Sequence, residues 1–310
     1  MRKFFILMLF LLLSSINFCY GIFVYLYPTN CIEKKGETIA LIIEEKEGFE
    51  VLSVALEGQV EYPIYRIGSN MVYSLVGLPH TIVTNFMLSV RSIDRLTGEM
   101  LVAEIPFRVN IDPIAYAKRR PKQIGEIEIR NDLSFKTNKF KLLANYGGEI
   151  SVFSKPLEGQ VKDGYGVNRS RGGILHGRIH LGVDIPREWG AKVYSAYDGV
   201  VISTARDRKA GKYVVIQHGY GVCSVYMHLS EILVKRGQVV TTNTVIGLVG
   251  ATGRTTGAHL HFGISVNNIY VDPLSFLERD YSPQSVISNG TKIKIYNLNR
   301  EASSNLLVSQ

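Results

Sequence analysis

Cysteine is scarce here: three residues in 310, one of them, Cys19, inside an apolar leader. The other two, Cys31 and Cys223, fall in what read as different domains, so a disulfide-stapled fold is not expected. Cys223, in the strand-like run Val222–Val225, reads instead as a buried thiol. Charged residues amount to only 20% against 46% hydrophobic, which excludes a disordered chain. The net charge of +8 is partly clustered at Lys118-Arg119-Arg120-Pro121-Lys122, with no aromatic-interleaved basic motif beside it. That argues against nucleic acid and leaves an anionic polymer or membrane surface as what the charge would meet. No lysine occurs from 237 to 266, so the glycine-spaced strands there lack the hairpin-tip lysine of a lipoyl- or biotinyl-carrier domain.

What the N-terminus does have is a signal-like leader. Met1-Arg2-Lys3 precedes the apolar run Phe4–Leu13, and small and polar residues follow. Residues 1–21 are expected to be a cleaved signal peptide or, with apolar character resuming at Ile22–Leu26, a membrane anchor through residues 4–27. Lipidation at Cys19 is a third outcome, against which bulky Phe18 stands. Export is expected in each case.

Short apolar runs separated by Gly, Asn and Pro predict an all-β chain. Residues 22–110 read as a β-sandwich, of which an immunoglobulin-like domain is one form; they hold no cluster of His, Asp, Glu or Cys that could carry chemistry. Residues 111–150 read as a basic connector. From 151 to 278, β-branched segments such as Tyr213–Ile216 and Val245–Val249 lie between closely spaced glycines and predict a compact antiparallel sheet. Residues 279–310 read as a polar C-terminal tail that adds one strand at Ile293–Tyr296 or stays mobile.

Six of the seven histidines fall in the second β region. His180-Leu181-Gly182-Val183-Asp184 offers an imidazole and a carboxylate four residues apart, both ordinary zinc ligands. Gly182, Val183, Ile185 and Pro186 argue against a helix, and in a regular strand the two would stand roughly 13 Å apart. Both can reach one ion only if the chain bends, most easily at Gly182. His259-Leu260-His261 alternates, placing both histidines on one face of a strand, about 6.5 Å apart. Val225–Leu229 is a further strand, with Tyr226 and His228 on one face. His176 and His218 read as loop or groove and strand-end residues.

Taken together, HLGVD at 180–184, GAKVYSAYDGVV at 190–201, VVIQHGYG at 214–221, YMHLS at 226–230 and GLVGATGRTTGAHLHFGI at 247–264 resemble the lysostaphin-type, LytM-like zinc peptidases of peptidase family M23. The resemblance covers roughly residues 151–277 and implies a LytM-type antiparallel β-sheet peptidase domain. It further implies one Zn2+ held by His180, Asp184 and His261, with catalytic roles for His228 and His259. Three protein ligands leave one position on zinc open to water. The resemblance thus implies a zinc endopeptidase of the bacterial cell envelope, in the periplasm or at the cell surface, that hydrolyses peptide cross-links or bridges of peptidoglycan. A non-enzymatic envelope regulator that activates another cell-wall hydrolase is the alternative, and the full set of five residues argues against it.

Overall fold

The computed structural model describes residues 21–296 except 29–30, 33, 57–59, 81, 83–84, 111–149 and 172–173. The readings made above for residues 1–20 with Cys19, for the bulk of the basic connector and for the last 14 residues fall outside the described residues; Gly21–Tyr27, the end of the anchor read through residues 4–27, forms a strand. Among the described residues no helix is long and apolar enough to cross a membrane.

The run Ile39-Ala40-Leu41-Ile42-Ile43 is apolar at every position, a pattern that suits a strand covered on both faces rather than one. The strand Thr38–Glu44 is covered in that way. Its odd residues Ile39, Leu41 and Ile43 enter one core with Val24, Leu26 and Val72. Its even residues Ala40 and Ile42 enter a second core, together with Tyr73 and Leu75 of the neighbouring strand Met71–Gly77.

The first core fills a β-sandwich of two five-stranded sheets. One runs in the order Thr291–Tyr296, Gly21–Tyr27, Thr38–Glu44, Met71–Gly77, Tyr65–Arg66. The other runs Cys31–Ile32, Met100–Val109, Phe86–Asp94, Phe49–Leu56, Val60–Tyr62. Pairing is antiparallel apart from Cys31–Ile32, which lies parallel to the strand beside it. Gly21–Tyr27 and Thr291–Tyr296 pair with each other, so segments from the two ends of the described chain meet in one sheet.

The second core lies under a seven-stranded antiparallel sheet ordered Val183–Pro186, His259–Val266, Val222–Leu229, Gly211–Gly219, Gly199–Asp207, Val239–Val240, with Ile269–Val271 added against His259–Val266. A three-stranded sheet of Lys192–Tyr194, Val245–Leu248 and Glu231–Ile232 completes this part. Two short helices follow, Pro273–Leu277 and Pro283–Asn289, each begun by proline and capped by Asp272 or Ser282. They return the chain to the first sandwich.

Because the sandwich lends one sheet face to the second core, the two halves join through packed side chains. Tyr220 meets Tyr65 and Tyr73 edge to face, at 5.1 and 4.8 Å between ring centres. The Tyr73 hydroxyl donates to the Tyr281 carbonyl at 2.6 Å, and Asn267 Nδ2 donates to the Leu75 carbonyl at 2.8 Å.

Candidate active site

Strand register builds the site. Asp184 lies directly opposite His261 on the neighbouring strand, and His261 lies opposite Met227 on the next. Strand alternation buries Leu260 and Phe262 in the second core and leaves His259 and His261 on the other face. His180 precedes its strand, which begins only at Val183, and the chain bends at Gly182. A Cβ on Gly182 would overlap the Phe262 carbonyl and come within 2.8 Å of the His261 ring, so only glycine permits this approach.

The result is a buried triad. His180 Nε2 lies 3.0 Å from Asp184 Oδ1 and 2.9 Å from His261 Nδ1, which is itself 2.8 Å from the same carboxylate oxygen. One ligand atom from each residue falls within 4.8 Å of the others, the arrangement of a group that could hold a metal ion.

The protonation pattern fits such an ion. His180 Nδ1 faces the Gly164 carbonyl at 2.8 Å, which can only accept, so the proton of a neutral ring sits there. The lone pair of Nε2 then points at the Asp184 carboxylate, a repulsive contact that a shared cation turns into two bonds. Burial alone would raise the Asp184 carboxyl; were His180 and His261 instead to hold protons on the facing nitrogens, their hydrogen bonds would override burial and hold it well below the usual carboxylate range, so the carboxylate needs positive charge, as protons or as a cation, between it and the rings.

His228 and His259 stand beside this group, their ring centres 4.8 Å apart. Alternation predicts His228 on the face of Tyr226, inside the second core. It adopts a left-handed backbone instead, φ 65°, and its ring lies 6.1 Å from that of His261. This conformation costs a non-glycine residue about 1 kcal/mol or more. His228 Nδ1 donates to the Thr252 carbonyl at 2.8 Å and His259 Nδ1 to the Gly257 carbonyl at 2.9 Å, which leaves both Nε2 atoms as lone pairs in the neutral rings. Burial lowers His228 to about 4, with the Thr252 contact opposing, so it is neutral at ordinary pH. His259 Nε2 is buried without a hydrogen-bond partner, 3.7 Å from Asp184 Oδ2.

His218 lies elsewhere. Its Nδ1 donates to the Asp198 carbonyl at 2.8 Å and its Nε2 contacts Ser224 Oγ at 2.7 Å, in a buried chain that continues to the Tyr226 hydroxyl and the Ala196 amide. The His176 side chain is outside the described residues.

One participant is not visible in the histidine pattern: the strap Lys162–Val167, whose main chain holds both His180 and Asp184. Its signal in the sequence is the glycine pair Gly164 and Gly166 around Tyr165, which marks irregular backbone without saying what that backbone binds.

Residues 178–273 match the model of peptidase family M23. Two peptidoglycan DD-endopeptidases of Vibrio cholerae are similar over this region. ShyB is 45% identical over 111 residues, 35% of this chain and 26% of that protein. ShyA is 51% identical over 87 residues, 28% of this chain and 20% of that protein. The matched region thus spans about a quarter of these relatives' length. The crystal structure of a protein assigned as a peptidase M23 from Pseudomonas aeruginosa superposes with a TM-score of 0.51 at 26% identity, covering 77% of this chain and 92% of that one. Residues 178–273 are thus a peptidase M23 domain within this chain.

Proposed function

We propose that this chain is a zinc endopeptidase of the bacterial cell envelope that hydrolyses peptide cross-links of peptidoglycan, with His180, Asp184 and His261 as the metal ligands. The convergence of these three residues beside two histidines with bare Nε2 atoms carries the proposal. The names of the relatives supply the polymer. Zinc, when bound, polarises a peptide carbonyl and makes water acidic enough to attack near neutral pH.

The protein's own residues supply the proton traffic. His259 Nε2 is buried, has no hydrogen-bond partner and lies 3.7 Å from a carboxylate oxygen of the ligand Asp184, so it is the atom that accepts the proton of the attacking water and returns it to the leaving amine. Neutral His228, with Nδ1–H committed to the Thr252 carbonyl, offers a fixed lone pair beside it, and it can donate to the developing oxyanion only when it takes up a proton.

Digestion of purified sacculi with zinc-loaded and chelator-treated protein, followed by mass spectrometry of the released fragments, tests the reading. Metal-dependent release of cross-linked peptides is expected; no release from any sacculus type overturns it.

A further inference from the structure

We propose that Tyr165 is a positioning residue through which the first sandwich braces the ligand pair His180 and Asp184; this rests on the metal-centre reading above. The strap Lys162–Val167 grips both residues by the main chain. Lys162 N donates to the Asp184 carbonyl at 3.0 Å, and Asp184 N donates to the Asp163 carbonyl at 2.9 Å. Gly166 N donates to the His180 carbonyl at 2.8 Å, and His180 N donates to the Val167 carbonyl at 2.9 Å. The Gly164 carbonyl fixes the His180 ring and its tautomer.

At its two glycines the strap faces open space: a Cβ at Gly164 or Gly166 would meet nothing within 4 Å. Tyr165, between them, supplies the anchor. Its hydroxyl donates to the Tyr270 carbonyl at 2.7 Å, and its ring lies against Gly36, in the turn that leads into the sandwich strand Thr38–Glu44. A Cβ on Gly36 would overlap this ring, reaching within 2.8 Å of Cζ.

The turn is fixed in its own right. The Gly36 carbonyl accepts from Asp272 N at 2.8 Å, and buried Glu37 pairs with Arg279 at 3.3 Å. A displacement of the Tyr165 ring therefore shifts the adjacent Gly164 carbonyl, and with it the orientation of His180. Groups that orient a ligating histidine typically account for 10–100-fold in metal affinity.

The test measures zinc affinity of the full chain by competition with a chromophoric chelator, with circular dichroism to confirm folding. Gly36→Ala, in the other half of the molecule, and Tyr165→Ala are each expected to weaken zinc about tenfold. Tyr165→Phe, which keeps the ring on Gly36, should recover most of that loss. Tyr73→Phe, which removes a different contact between the two halves, should leave affinity unchanged. Folded Tyr165→Ala protein that binds zinc like the wild type overturns the proposal, as does an equal loss in Tyr73→Phe. Should Gly36→Ala fail to fold, the two Tyr165 variants decide. Wild-type protein that binds no zinc overturns the metal-centre reading itself, a distinguishable failure.

Discussion

Glu45 in the sandwich and Asp184 in the peptidase domain are both buried carboxylates, 8% and 6% exposed, and they are neutralised differently. Glu45 accepts from the Arg66 guanidinium at 2.7 Å and from the Val51 amide at 2.8 Å, so the protein supplies its own counter-charge. Asp184 meets imidazoles, His180 and His261 through Oδ1 and His259 near Oδ2. Burial is the same; the partners differ. A buried acid closed by arginine is architecture, whereas one ringed by imidazole nitrogens belongs to a group that could hold a metal ion.

The sharpest way to break that comparison is to damage each region by a single side chain. His261→Ala should lower metal-dependent muropeptide release roughly a thousandfold, about 4 kcal/mol of barrier, while leaving the metal-free fold intact. Leu41→Ala, on the sandwich face of its strand, should do the reverse: a loss of about 3 kcal/mol in urea unfolding with zinc affinity unchanged. Chelator competition and unfolding curves on both variants check the pair. Zinc loss in folded Leu41→Ala protein would show that the two regions are not separable in this way.

A second prediction compares histidines within the peptidase domain. His218, fully enclosed, is lowered to about 4 by burial. Its folded value lies below the ordinary 6.5, so the unfolded chain takes up the proton first. Stability is therefore full above pH 6.5 and falls as the pH drops towards 4, by about 1.4 kcal/mol per pH unit for one proton. His228, also lowered to about 4, adds a second proton in metal-free protein. His218→Gln should flatten the pH dependence of urea unfolding between 4.5 and 6.5 by one proton's worth, and an unchanged slope would contradict a neutral buried His218.

These contrasts are unevenly legible in the sequence. Alternation around Leu260 suffices to put His259 and His261 on one face, because the strand is regular there. The bend at Gly182 follows from the impossibility of any straight route between His180 and Asp184. The pairing of Asp184 with His261, 77 residues later, does not follow, since register depends on intervening turns and bulges such as the one between Val201 and Ser203. Period-two reasoning also misplaces His228, where one left-handed residue reverses the face. The apolar run at Ile39–Ile43 announces a strand, but which half of the molecule covers its second face is written in Tyr73, Leu75 and the residues after Tyr220, far away in the chain. The strand at Ile293–Tyr296 is likewise readable from its own residues, while its partner Gly21–Tyr27 lies at the opposite end.

The smallest effect is expected at Cys223, where burial in the peptidase domain carries no chemistry at all. Its side chain packs with Ile202, Val215, Val225 and Met227, and burial pushes the thiol up to about 12. A thiol shifted some three units above its ordinary value holds roughly a thousandth of the usual thiolate. A maleimide or disulfide reagent should therefore label native protein at this position at least a thousandfold more slowly than urea-unfolded protein. Cys223→Ala should cost only about 1 kcal/mol of stability, through lost packing, and leave cleavage unchanged. Rapid labelling of the folded protein at Cys223 would mean that the face of the sheet carrying Met227, directly opposite His261, opens readily to solvent. In that case the dry surroundings that keep His228 neutral would not hold either, and the contrast between closed architecture and open chemistry would have to be drawn inside the sheet rather than between the two halves of the chain.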